Sequence, residues 1–123
     1  MSFKSTMPLY LDTHVLIWLY QDSATIENSN ELLISPMVEL ELTYLQEINR
    51  ITVAPAIIID NLRHHIGLEI CKLPFISVIG AALSQNWTRD PFDRLIVAQA
   101  AFNQSALLTA DRNIQQHYAL AFW

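Results

Sequence analysis

Four acidic residues of this chain stand where a carboxylate can do more than cap a helix. Asp12 directly follows the apolar run Met7-Pro8-Leu9-Tyr10-Leu11, and Asp111 comes two residues after Ala106-Leu107-Leu108-Thr109. Both are therefore expected at the carboxyl ends of buried strands. Asp93 falls on the first turn of a helix that Asp90 opens as N-cap and Pro91 as first helical residue. Glu41 sits in the middle of an apolar helical face. Taken singly, Asp12, Asp93 and Asp111 read as helix caps. Taken together, four carboxylates at one edge repel, so some must bind cations or take up protons with raised pKa values. Hard oxygen donors at this density suit Mg²⁺ or Mn²⁺ and not zinc, which favours His or Cys. Such a cluster is suited to phosphodiester hydrolysis, because bound ions polarise a phosphoryl oxygen, acidify an attacking water and stabilise the leaving oxygen. Arg89, Arg94 and Arg112 are three of only seven basic residues, each within four positions of one of these acids. They either balance local charge or hold substrate phosphates.

The elements that must position these acids alternate in type. Residues 7–11 read as a strand, 15–20 as a helix, 25–30 as a short helical stretch and 32–34 as a strand. Ser35-Pro36 opens a helix as N-cap and N1. Along it Met37, Tyr44, Leu45 and Ile48 share a face with Glu41, while Glu39 points about 160° away on the helical wheel. Glu41 is thus expected inward and Glu39 solvated. An inward carboxylate is rarely left without a partner. Residues 51–53 read as a short extended piece, and Pro55 begins a helix to about His65, ended by Gly67. A strand over 68–73, a helix over 74–85 weakened at Gly80, and the helix of residues 91–102 follow. In that last helix only Gln99 is polar between Leu95 and Phe102, so it should be buried nearly all round. A strand over 106–109, a short helix near 112–117 and a terminal strand within 118–123 complete the pattern. Strands and helices in alternation predict an α/β fold with a mostly parallel sheet covered on both faces. Ligands bind such sheets outside the carboxyl ends of the strands, where the acids are expected.

Composition narrows the class. With 123 residues, the chain is expected to be one domain over 1–123. Seven basic residues against twelve acidic, a net charge of −5, argue against a broad basic surface for nucleic acid but not against a small site acting on RNA or DNA. The single Cys71 excludes an intrachain disulfide, reads as a buried small hydrophobe, and fits a reducing compartment. The first six residues do not resemble a signal peptide and no apolar run is long enough to span a bilayer, so a cytoplasmic protein is expected. An apolar content of 52% hints at a surface covered by a partner or a second copy. His64, His65 and His117 read as surface or capping residues, and Trp18, Trp87 and Trp123 as core or interface. Thr109 either bonds a ligand carboxylate or simply ends its strand.

Four segments, in order and spacing, resemble the PIN-domain ribonucleases, and among them the VapC toxins of prokaryotic toxin–antitoxin pairs. They are Leu9-Tyr10-Leu11-Asp12-Thr13-His14-Val15-Leu16-Ile17-Trp18, the helix of residues 35–45 with its inward Glu41, Arg89-Asp90-Pro91-Phe92-Asp93-Arg94, and Leu107-Leu108-Thr109-Ala110-Asp111-Arg112. The resemblance implies a PIN-like three-layer α/β/α domain with a Mg²⁺- or Mn²⁺-dependent endoribonuclease site. It maps the family's four acids onto Asp12, Glu41, Asp93 and Asp111, with Asp12 and Asp93 as main metal ligands, Asp111 direct or through water, and Glu41 orienting water or a second ion. Asp90 belongs to the same motif and is read mainly as the helix cap, and His14 as a residue that packs or makes a hydrogen bond near Asp12. A homodimer neutralised by a cognate antitoxin protein is also implied, with RNA as substrate. Two departures stand out. Relatives more often carry Ser and an aromatic around the helix acid, which leaves Glu39 as a rival to Glu41, and Asn49 replaces a common glycine. A haloacid dehalogenase-type phosphatase would need a second Asp where His14 stands. A phosphoacceptor receiver domain would need an acidic pair after the first strand. The alternative of a different class is a PIN-like module that binds or scaffolds without cleaving.

Overall fold

The structure is a computed structural model that describes residues 7–22 and 31–123. Its elements in chain order are β1 (Pro8–Leu11), α1 (Thr13–Asp22), β2 (Glu31–Ile34), α2 (Pro36–Glu47), α3 (Pro55–Ile66), β3 (Glu69–Ile70), α4 (Phe75–Ala82), α5 (Pro91–Phe102), β4 (Ala106–Leu108), α6 (Arg112–His117) and β5 (Ala121–Phe122). The strands form one sheet in the order β3-β2-β1-β4-β5, and every pairing is parallel. The sheet is therefore wound outward in both directions from β1 and β4. Leu9, Tyr10 and Leu11 are three consecutive buried residues, as are Leu32, Leu33 and Ile34. A strand covered on one face alone buries every second side chain, so helices cover both faces, as expected for an α/β/α sandwich. Helix α1 packs on α2 and α3, and α4 packs on α5.

The register Leu9↔Ala106, Tyr10↔Leu107, Leu11↔Leu108 brings the ends of β1 and β4 level. Asp12 N–H extends this ladder by donating to Leu108 O at 3.1 Å. The switch point of the sheet thus lies between Asp12 and the Thr109–Asp111 turn. In doubly wound sheets that crevice is where ligands bind.

Several boundaries differ from those read in the sequence. The helix expected over 15–20 begins at Thr13 and runs to Asp22, and the stretch 25–30 lies outside the described residues. Residues 51–53 form no strand, and Ile51 N–H instead turns back to Leu45 O. The strand over 68–73 shrinks to Glu69–Ile70, since Cys71 makes a last bond to Ile34 O and Pro74 has no N–H to continue a ladder. Helix α4 stops at Ala82, three residues before the expected end, and the terminal strand is only Ala121–Phe122 because Tyr118 N–H still bonds to Ile114 O at the end of α6.

The loss of the family's usual glycine at Asn49 has a local explanation. Asn49 has φ 64°, its N–H donates to Gln46 O at 3.0 Å, and Arg50 N–H donates to Leu45 O at 2.8 Å. These two bonds close α2 in a Schellman motif, whose left-handed position tolerates Asn nearly as well as Gly. Gly67 fills the equivalent place after α3 with φ 71°. Among the described residues no helix is long and apolar enough to cross a membrane.

Candidate active site

Each acid is delivered to the switch point by a different device. Asp12 is the first residue past β1 and is 6% exposed. Its Oδ1 accepts from Thr13 N–H at 2.7 Å and its Oδ2 accepts from the Thr109 hydroxyl at 2.7 Å. Both carboxylate oxygens are thereby fixed by groups on the two central strand ends. Thr13 is fully buried, and its hydroxyl donates a short hydrogen bond to Glu41 Oε1. Thr109, equally buried, accepts from Asp111 N–H at 3.1 Å. A hydrogen-bonded thread consequently runs from Glu41 through Thr13, Asp12 and Thr109 to Asp111.

Asp93 reaches the cleft by helix packing alone. Asp90 caps α5, accepting from Phe92 N–H at 2.8 Å and Asp93 N–H at 3.3 Å. Behind that cap Ile96, Val97, Ala98, Gln99 and Ala100 are all buried, so the helix cannot roll. Phe102 is 48% exposed, so burial does not extend to the end of the helix as expected. Asp93 accepts no side-chain hydrogen bond among the described residues. Asp111 is exposed and caps α6 through Asn113 N–H at 2.8 Å and Ile114 N–H at 3.2 Å.

Asp12, Glu41, Asp93 and Asp111 line one cleft of about 340 Å³, together with Asp90, His14 and Ala110. Burial pushes the Asp12 carboxyl above its ordinary range, against the pull of the Thr109 and Thr13 hydrogen bonds. Burial likewise raises Glu41, partly offset by the Thr13 hydroxyl and reinforced by the Asp12 charge. Asp93 is pushed up to about 7, first by burial and then by the charges of Asp90, Asp12, Asp111 and Glu41. Crowding of like charge, anticipated from the sequence, is thus present in the folded chain.

The structure also corrects parts of the sequence reading. The buried residues of α2 are Val38 and Leu42, whereas Tyr44 and Ile48 of the expected inward face are 47% and 43% exposed. The apolar arc is wider than the core face, and Glu41 lies on its flank. Tyr44 meets Phe92 of α5 with ring centroids 5.8 Å apart, so this flank faces α5 and carries Glu41 toward the cleft. Glu39 is exposed and lines a separate groove with Leu40 and Thr43, which removes it as the rival ligand. Arg94 is no phosphate clamp: its guanidinium donates to Ala82 O at 3.1 Å and caps the end of α4. Arg89 and Arg112 are exposed and do not line the cleft. His14 does line it, together with Asp12. Thr109 is the bonded alternative of the two weighed. Sequence reasoning misses Thr13 as a positioning group. The available signal is a hydroxyl directly after an acid at a strand end, a place where a buried threonine needs a partner.

The donor chemistry of the cleft fits a hard divalent cation. Carboxylate oxygens dominate, His14 is the one nitrogen side chain lining it among the described residues, and Cys71 lines a different groove beside β3. Among the described residues no three acidic, histidine or cysteine side chains already form a chelate. Magnesium does not require one, since it keeps several waters and is commonly held by one or two carboxylates plus substrate phosphates.

The PIN domain family profile matches residues 9–120. Ribonuclease VapC22 of Mycobacterium tuberculosis is 30% identical over 117 residues, covering 87% of this chain and 89% of that protein. Among solved structures, the fold is shared with DNA-bound VapBC from Salmonella typhimurium (TM-score 0.66, 16% identity, 94% of this chain and 96% of that one). It is shared also with VapBC2 from Rickettsia felis bound to a promoter DNA fragment (TM-score 0.62, 16% identity, 89% and 92%).

The raised Asp93 carboxyl gives a prediction for the metal-free protein. The folded chain retains a proton on Asp93 up to about pH 7, whereas an ordinary aspartate, at 3.8, has already released it. Charging Asp93 therefore costs stability progressively between those values, and the whole cost is present above pH 7. Asp93→Asn should melt higher than the parent at pH 8 in EDTA, by roughly 1–2 kcal/mol after allowance for its half-exposed position, with the gain vanishing near pH 4. An equal effect at both pH values would contradict the raised proton affinity of Asp93.

Proposed function

The chain belongs to the PIN domain family, and from that membership and the acid-lined cleft we propose that it is a Mg²⁺- or Mn²⁺-dependent endoribonuclease, the toxin of a toxin–antitoxin pair. The observation that carries this reading is the convergence of Asp12, Glu41, Asp93 and Asp111 on one cleft at the switch point of the sheet. The likeness to a ribonuclease VapC supports RNA as the substrate, and the likeness to VapBC assemblies supports a cognate antitoxin as partner. A cytoplasmic setting agrees with an unpaired, buried Cys71.

In this reading Asp12 and Asp93 would be the main residues holding the cation, with Asp111 contributing directly or through water and Glu41 orienting water or a second ion. The bound ion supplies charge to neutralise the phosphodiester and to acidify water. Asp12 is an inflexible ligand, because each of its oxygens already accepts one hydrogen bond and retains lone pairs for the cleft. Glu41 is held at Oε1 by Thr13, leaving Oε2 to orient a water and accept its proton. The elevated proton affinity of Glu41 makes it a better base than a solvated glutamate. Asp93, which accepts no side-chain hydrogen bond among the described residues, would gain most from a cation.

RNA cleavage tests the reading. The parent should cut RNA in Mg²⁺ or Mn²⁺ and stop in EDTA, while Asp12→Asn and Asp93→Asn should each lose about a hundredfold or more in rate. No metal-dependent cleavage of any RNA tried would favour the scaffold alternative, and variants as active as the parent would refute the acid assignment.

The homodimer is likewise a proposal, supported by the outer face of α4. Phe75, Ile76 and Leu83 are 62%, 82% and 73% exposed, and residues 73–85 contain no charged side chain. Such a bare stripe can meet its own copy without like-charge repulsion, in a chain of net charge −5. Sedimentation should give a dimer for the parent and a monomer for Ile76→Glu. A monomeric parent would remove this part of the proposal.

A further inference from the structure

The stack between Trp87 and His117 lies outside the acid cleft but joins the two segments that carry its outer acids. The rings are 4.9 Å apart between centroids and only 4° from parallel. Trp87 belongs to the loop that enters α5 three residues before Asp90, and His117 is the last residue of α6, which begins at the Asp111 cap. Both rings are oriented by further bonds. Trp87 Nε1–H donates to Gln85 Oε1 at 2.7 Å, and His117 Nδ1 lies 2.8 Å from Asn113 O one turn back along α6. Trp87 is half-buried against the main core, whereas His117 is exposed.

We infer that Trp87 and His117 are positioning residues of the acid cleft, their stacked rings bracing the entry of α5 against α6 and so fixing Asp93 relative to Asp111. The need for such a brace follows from how the two acids are held. Asp12 and Asp111 share the hydrogen-bonded thread through Thr109, but Asp93 lies outside that thread. Its distance from Asp111 depends on how α5 and α6 sit against each other. Helix α6 has six residues and one buried side chain, Ile114, so it has little hold of its own. Gln115 ties it to Thr109 O and Tyr118 ties its end to Ser105 O, both of them on the β4 side. The stack ties it to the α5 side. Four mutually repelling carboxylates would otherwise spread the cleft at its outer rim, where Asp111 is exposed.

This inference rests on the proposed metal site, and the experiment separates the two. Mn²⁺ binding is measured by calorimetry on the parent, His117→Ala, His117→Phe and Trp87→Ala, with amide hydrogen exchange on the same proteins without metal. His117→Ala should weaken Mn²⁺ about tenfold, the lower range for a group that orients a ligand from outside. His117→Phe, which keeps a stackable ring, should bind within about twofold of the parent. His117→Ala should also speed exchange of the Phe92 and Asp93 amides at the first turn of α5, although the substitution is on α6. Trp87→Ala should do the same if it folds; His117→Ala leaves the core intact and carries the test if it does not. Parent-like Mn²⁺ binding by a folded His117→Ala would overturn the brace. If the parent itself binds no Mn²⁺, the metal reading fails and hydrogen exchange still decides: unchanged α5 amides overturn the brace, and faster ones support it.

Discussion

Repulsion among carboxylates at the sheet's switch point is the constraint on which this molecule turns. A folded chain does not gather Asp12, Glu41, Asp93, Asp111 and Asp90 around one cleft without cost; the proton affinities of Asp12, Glu41 and Asp93 are raised first by burial and then by the neighbouring carboxylates. The rest of the fold supplies what resists it. Parallel pairing of β1 with β4 sets Asp12 level with the Thr109–Asp111 turn, and two buried threonines convert that proximity into hydrogen bonds. The body of α5, buried over five consecutive residues, holds Asp93 in place, with no polar tether to its carboxylate among the described residues. A bound cation would offset the like charge of such a site, which is the physical basis of the proposal of a metal-dependent nuclease over a scaffold.

The two kinds of restraint divide the work between them. Hydrogen bonds secure the inner acids, where water is excluded and an unpaired carboxylate would be costly. Packing and caps secure the outer ones. Asp90 satisfies the first amides of α5 and Asp111 those of α6, so each acid motif contains one residue that builds the helix and another, or another oxygen, that faces the cleft. Arg94 likewise serves to build a helix end, donating to Ala82 O where α4 closes.

Much of this was legible in the sequence because the signals were local and periodic. The alternation of β-rich runs with capped helices foretold the parallel sheet, and Asp90-Pro91 and Ser35-Pro36 foretold the starts of α5 and α2. Asp12, Asp93 and Asp111 were legible because each follows a strand or lies at the start of a helix, and Glu41 because a carboxylate interrupts an apolar helical face. Tertiary facts were less so. The helical wheel of α2 could not tell that Val38 and Leu42 would face the core while Tyr44 would turn toward Phe92, because the apolar arc of that helix is wider than one interface. The role of Thr13 depends on a partner 28 positions away, which no local pattern encodes. The stretch 68–73 looked like a full strand from its composition, yet pairing with a short β2 and the proline at 74 limited it to two residues.

Direct titration of Asp93 by carboxyl carbon NMR tests the central claim most closely. In the metal-free protein the midpoint should lie near 7, and saturating Mg²⁺ should lower it by more than about one unit as the cation offsets the neighbouring charges. A midpoint near that of a free aspartate, unmoved by Mg²⁺, would show that the acids neither crowd nor share a cation, and would contradict the account.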